Sequence, residues 1–168
     1  MVREKQAKII SLAIFAAIII IYAAKGVVLD VGICAYADWS NRLLYHFFHA
    51  SWLHTLLNGW CLLSVAFVYD ISLGRILAAF VAASLFPVDS LYTLLHNTNL
   101  CVPTVGLSGV CYVLMGSLAF MVRNKLYYHS CLLLYIGIGF LFPNVNALLH
   151  LYCYTAGIML GFLTKPIK

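Results

Sequence analysis

Charge is what this sequence has least of. Among 168 residues only five are acidic and ten basic, so charged side chains make up 9% of the chain against 64% for apolar ones. A water-soluble globule needs far more polar surface than this to cover its core, which excludes an ordinary soluble domain. Motif-spaced cysteines are missing as well. Cys34, Cys61, Cys101, Cys111, Cys131 and Cys153 form no CxxC pair and no finger spacing, which speaks against zinc modules and thioredoxin-like redox chemistry. No HExxH occurs, so His46, His49 and His54 do not make the membrane-metalloprotease pattern, and no metal is expected. The net charge of +5 is not gathered into a basic cluster within a soluble fold, and nucleic acid is not an expected partner.

What the chain has is long apolar runs. At roughly 20 apolar residues per crossing, this length accommodates about six helices. The runs fall near residues 8–28, 51–69, 75–96, 105–122, 127–142 and 147–164. The expectation is an all-α membrane protein, a six-transmembrane-helix bundle forming a single membrane domain over residues 1–168. The first run follows Arg3, Lys5 and Lys8 without a small-x-small cleavage site, so it reads as a retained anchor rather than a signal peptide. With a cytoplasmic N-terminus, Arg3, Lys5, Lys8, Arg75, Arg123, Lys125, Lys165 and Lys168 lie inside, eight of the ten basic residues. That asymmetry predicts a multi-pass protein with both termini cytoplasmic, and the expected location is the plasma (inner) membrane with the active site facing the outer side. The long connection at residues 29–50 is rich in aromatics, as segments resting at the interface are. Cys61, Cys111, Cys131 and Cys153 sit in apolar runs and read as small buried hydrophobes. Cys34 and Cys101 lie in connections on the same side, where a disulfide is conceivable.

Polar groups are expensive in hydrocarbon, so the few that interrupt these runs carry the functional reading. Ser108 stands in Gly106-Leu107-Ser108-Gly109 at the start of the fourth run, and His150 near the start of the sixth. Both starts face the outer side, which puts hydroxyl and imidazole at the same depth. A serine needs a base to become a nucleophile, and a neutral imidazole is the usual one. The flanking glycines permit a sharp turn and close substrate approach, and a helix start offers free N–H groups to a developing oxyanion. His54 and Asn58 share one helix face, with His49 at its outer end, and together they supply donors for a tetrahedral intermediate. Ser108, Tyr112 and Gly116 form one stripe; His150, Cys153, Gly157 and Gly161 form another, small enough for close helix contact. Tyr112 is placed to stack on His150.

These segments resemble the rhomboid intramembrane serine proteases. His49-Ala50-Ser51-Trp52-Leu53-His54-Thr55-Leu56-Leu57-Asn58 is similar to the family's second-helix pattern of two histidines and an asparagine. The segment from Gly106 to Gly116, with Tyr112 four after Ser108, is similar to its nucleophile segment, and Leu73-Gly74-Arg75 to the turn entering the third helix. The resemblance covers residues 41–162. It implies a six-helix rhomboid core with Ser108 as nucleophile and His150 as general base, and no aspartate. It also implies an oxyanion hole of His54, Asn58 and the Ser108 N–H, with His49 and Gly106 in support and Tyr112 beside the histidine. Substrates would be single-span membrane proteins, cut near the outer face beside small residues and helix-destabilising stretches. Span five, with Gly137 and Gly139 before Phe142-Pro143, reads as a lateral gate. Two positions depart from the family: Cys153 stands where a glycine is usual, and Asn41-Arg42 where Trp-Arg is frequent, with Trp39 nearby.

Each residue also has a plainer reading. A serine in a membrane helix usually bonds its own backbone, histidines can be polar glue between helices, and His46, His96 and His129 fall outside the motif as interfacial or loop residues. Besides the protease, two functions stay open: a non-catalytic rhomboid-like protein that binds membrane helices, and a haem electron carrier using His54 and His150 as axial ligands. An intact serine and histidine speak against the former.

Overall fold

Apolar runs bounded by serine or asparagine become helices here because those side chains supply the hydrogen-bond acceptor that a helix start lacks. The computed structural model describes residues 2–164, with side chains from residue 5. The side chain of Arg3, and Lys165 and Lys168, lie outside the described residues. Helix α1 spans Val2–Lys25, α2 Trp39–Leu44, α3 Trp52–Val68, α4 Leu73–Ser84, α5 Val88–Leu95, α6 Ser108–Ser117, α7 Lys125–Gly139 and α8 Ala147–Leu163, with short 3-10 turns at Tyr45–Phe47 and Thr98–Cys101. Ser51, Ser72, Asn124 and Asn146 cap α3, α4, α7 and α8 by accepting from the N–H groups of His54, Arg75, Tyr127 and Leu149 at 3.0–3.3 Å.

The chain is all-helical, and the described residues contain no strand beyond one isolated bridge between Ile33 and Thr104. By length and composition two stretches qualify to cross a membrane, Lys5–Lys25 and Leu73–Leu95. A third qualifies if Trp39–Phe47 and Trp52–Val68, bent by 88°, are one broken span, and Ser108–Ser117 and Ala147–Leu163 are shorter apolar helices. The run expected over 75–96 is interrupted at residues 85–87. Pro87 lacks an N–H and disfavours helix in the residue before it, so α4 ends and α5 restarts.

Helix α6 sits in the middle, with Gly109 to Leu114, Gly116 and Ser117 all buried. It meets α8 backbone to backbone. A Cβ on Gly157 would lie 2.2 Å from the Val113 carbonyl, and one on Gly161 2.6 Å from that of Ser117. Helix α1 packs on α3, where Phe15 lies against Gly59 so closely that a Cβ would fall 2.0 Å from the ring. Helix α7 buries only Ile136 and Gly139. Its Tyr128 hydroxyl donates to the Met115 carbonyl at 2.7 Å, and His129 Nδ1 bonds the Tyr154 hydroxyl. Trp60, Val68, Val81, Leu126 and Leu134 point outward, an apolar exterior suited to lipid.

The cysteine expectation holds for Cys111 and Cys153, which are buried, but Cys61 is only half-buried and Cys131 is exposed on α7. That helix offers too little packing partner to cover its outer face. All six thiols are free, including Cys34 and Cys101.

The long connection is more structured than its composition indicates. Residues 33–35 run beside 100–104: Ile33 and Thr104 exchange hydrogen bonds at 2.9 Å, and Ala35 N donates to the Leu100 carbonyl at 2.8 Å. Three side chains then fasten α2 and the following turn to the end of α4. Arg42 donates to the Phe86 carbonyl at 2.8 Å and pairs with Asp89 at 2.7 Å; Tyr45 donates to the Ala83 carbonyl at 3.1 Å; His46 meets Ser84 Oγ at 2.9 Å. Two of these contacts add a second donor to carbonyls that already accept a backbone N–H, Phe86 from Val88 and Ala83 from Phe86, and the third reaches a hydroxyl. Asn41, standing where a tryptophan is frequent, donates to the Asp30 and Gly32 carbonyls, while Trp39 lies over the Arg42 guanidinium at 5.3 Å.

Candidate active site

The turn before α6 is built by its neighbours. Gly106 has φ +132°, a conformation that side chains rarely adopt, and a Cβ there would fall 2.6 Å from His54 Cε1 and 3.4 Å from Asn58 Nδ2. Only glycine fits both constraints. The Gly106 N–H donates to the Tyr45 carbonyl at 2.9 Å, and the Leu107 N–H donates to His49 Nε2 at 3.3 Å. The next N–H along the chain is that of Ser108 in the first turn of α6, where donors have no intrahelical partner.

Ser108 Oγ lies 3.0 Å from His150 Nε2. The histidine sits in the first turn of α8, whose start is fixed by the Asn146 cap. Tyr112, one turn after Ser108, stacks on the imidazole with ring centroids 4.3 Å apart and planes 24° from parallel. The ring is thereby held between the serine and a flat apolar face. The structure thus brings together two groups from separate runs, and the Tyr112 stacking expected from spacing is present.

From α3, Asn58 turns inward and its Nδ2 is buried without a hydrogen-bond partner among the described residues. A buried amide donor left unpaired is costly, and such a group is a donor waiting for an acceptor. His54, one turn earlier, lies against Gly106 and contacts the His49 ring at 5.1 Å between centroids. His49 is fully buried behind the turn. Its ring acts on the Leu107 N–H, so it supports the backbone rather than facing the cavity. A cavity of about 460 Å³ is lined by His54, Asn58, Ser108, Tyr112 and His150, and on the α7 side by Leu132, Tyr135 and Ile138.

Of the histidines set aside earlier, His46 is buried against Ser84, His129 bonds Tyr154 away from the site, and His96 is exposed at the end of α5. The residue that sequence reasoning missed is Tyr45. Its carbonyl holds Gly106, its hydroxyl holds the end of α4, and that hydroxyl lies 3.2 Å from where a Gly109 Cβ would be. A main-chain acceptor leaves no signal in residue type, and one aromatic among eleven tyrosines stands out in no pattern.

The serine–histidine contact, a buried donor at the same turn and a glycine required by two constraints are groups of the kind that acyl transfer needs. The sequence model of one protein family, the Rhomboid domain, matches residues 36–167. No curated protein and no solved structure matches the chain.

Proposed function

The chain belongs to the rhomboid family of intramembrane proteases, and from that premise we propose that it is an integral membrane serine endopeptidase that hydrolyses membrane-helix substrates with a Ser108–His150 dyad. In this reading the chain forms one six-crossing domain, with the α4–α5 pair as a single crossing and α6, α7 and α8 as short ones. The observation that carries the reading is the 3.0 Å approach of Ser108 Oγ to His150 Nε2 beside the unpaired Asn58 amide.

The steps follow from the groups present. His150 takes the Ser108 proton as the oxygen attacks the scissile carbonyl, and returns it to the leaving amine as the acyl-enzyme forms. The Ser108 N–H, the Asn58 amide and His54 donate to the oxyanion, which exists only in the intermediate and is therefore stabilised selectively. Water then hydrolyses the ester by the same route. A peptide bond inside a stable helix has its carbonyl hydrogen-bonded, so the substrate must reach Ser108 locally unwound. Helix α7, with little buried surface, is the element that yields to admit it.

The test is purified full-length chain with a single-span substrate carrying a small residue near one end. Wild type cleaves it and takes a fluorophosphonate label, and Ser108→Ala does neither while keeping its helical spectrum. Cleavage by purified Ser108→Ala overturns the dyad; wild type that binds the substrate but neither cuts nor labels is a helix-binding protein instead.

A further inference from the structure

The cavity that holds Ser108 and His150 also holds two thiols that the proposed steps do not use. Of the six cysteines, Cys61 on α3 and Cys111 on α6 are the two that line it. Cys61 follows Asn58 by three residues and Cys111 follows Ser108 by three, so each stands one helical turn beyond a group assigned to the chemistry, on the same face. The Cys111 thiol donates to the Asn58 carbonyl at 3.4 Å, and the two thiols lie within hydrogen-bonding reach of each other. Cys111 is buried, whereas Cys61 is half-buried. No Asp, Glu, Lys or Arg lines the cavity, and Leu57, Trp60 and Tyr135 in its wall are exposed on the apolar exterior of the molecule. An apolar solute in the surrounding lipid therefore reaches the thiols between α3 and α7.

Resting on the protease reading, we propose that Cys61 and Cys111 form a redox site: an apolar hydroperoxide, the class of oxidant that arises in lipid itself, joins them as a disulfide and slows cleavage until a thiol reduces it. Cys61, the more exposed of the two, attacks the hydroperoxide. The O–O bond breaks, the terminal oxygen passes to sulfur as a sulfenic acid, and the thiol proton leaves with the other oxygen as an alcohol. Cys111 Sγ then attacks the oxidised sulfur, the S–S bond forms, and the oxygen departs with the Cys111 proton as water. The two thiols have lost two electrons and the hydroperoxide has gained them. The effect on cleavage is geometric. A disulfide holds its sulfurs about 2 Å apart, roughly 1.5 Å closer than heavy atoms in van der Waals contact, so α3 and α6 must shift toward each other one turn from Asn58 and Ser108. The bond to the Asn58 carbonyl is lost as well, because a disulfide has no S–H to donate. Displacements of about 1 Å in a catalytic constellation cost on the order of 100-fold in rate. Exchange with an added thiol regenerates both cysteines and reverses the change.

The experiment treats purified full-length chain in liposomes with cumene hydroperoxide, maps disulfides by digestion and mass spectrometry, and follows substrate cleavage and the fluorophosphonate label in parallel. Peptides carrying Cys61 and Cys111 are expected to be joined, cleavage to fall about 100-fold, and dithiothreitol to restore it. Cys61→Ala keeps its rate under the same treatment. Where that variant fails to fold, Cys111→Ala takes its place, and the wild-type map with its reversal by dithiothreitol stands without either. Treated wild type that lacks the Cys61–Cys111 link, a link that leaves cleavage unchanged, or a loss that Cys61→Ala shares or dithiothreitol fails to reverse overturns the inference. Failure of the protease reading looks different: untreated wild type neither cuts nor labels, and the slowing of cleavage falls with it. The disulfide map needs no activity and still decides whether the two thiols join.

Discussion

Ser108 has no base in its own helix, and the imidazole that serves it comes from α8 at 3.0 Å. His150→Ala therefore lowers cleavage by a factor on the order of 10⁴ to 10⁶, as expected when one member of an interdependent pair is lost; a purified variant cutting within tenfold of wild type would exclude the base role. Asn58→Ala removes one oxyanion donor while others remain, so its cost is smaller, on the order of 10- to 1000-fold in kcat. The same variant also deletes a buried donor with no partner, and its thermal stability is expected to stay level or rise. A rate equal to wild type makes Asn58 a packing residue. Gly106→Ala tests the turn itself. The methyl group meets the His54 ring at 2.6 Å in a left-handed backbone, and the expected loss is on the order of 1–3 kcal/mol of stability, read by detergent unfolding. Much of this site was legible in the sequence, because a serine between glycines and a histidine in apolar runs are chemically conspicuous. The His49 contact with the Leu107 N–H was not. It depends on a turn whose path is set by the long connection.

The elements were readable where a local rule decides them. Capping residues stand at the starts of α3, α4, α7 and α8, and Pro87 accounts for the break that the run expected over 75–96 passed over. What sequence could not give is the fastening of residues 42–46 to the end of α4, since its acceptors are mostly main-chain carbonyls. The stripe of Ser108, Tyr112 and Gly116 on α6 and the small-residue stripe on α8 were legible, and the structure shows why their glycines are needed. Gly116, Gly157 and Gly161 let two backbones touch, and Cys153 lies 3.3 Å from where a Gly109 Cβ would stand. Cys153 thus occupies the place of a family glycine without separating the helices. Cys153→Leu adds volume at a point with none to spare and is expected to cost about 1–3 kcal/mol. It also lengthens the Ser108–His150 contact, so melting temperature and kcat fall together. The matched control is Cys131→Leu on the exposed face of α7, expected within about 0.5 kcal/mol of wild type. If Cys153→Leu melts with wild type, the interface yields more than its close contacts indicate.

At the scale of the whole molecule, the chain has a cationic end and a reactive end. Lys8 pairs with Asp70 at 2.5 Å, which brings the start of α1 to the end of α3. Arg75 donates to Thr164 Oγ1 at 2.8 Å and contacts Met121 Sδ, which adds the start of α4, the end of α8 and the turn after α6. Arg123 lies in that same turn and Lys125 opens α7. His54, Ser108 and His150 lie at the opposite ends of α3, α6 and α8. Cations are retained on the cytoplasmic side of a membrane, so the reactive end is expected on the other. Labelling intact cells with a membrane-impermeant maleimide decides it. A variant keeping only Cys101, exposed in the segment that leads to α6, should react without permeabilisation, whereas a variant whose sole cysteine comes from Arg123→Cys should react only after it. The reverse pattern would invert the molecule and place cleavage on the cytoplasmic side. The dyad geometry would stand, because it depends on α6 meeting α8 and not on which compartment they face, but the substrates reaching it would be those whose unwound ends emerge into the cytoplasm.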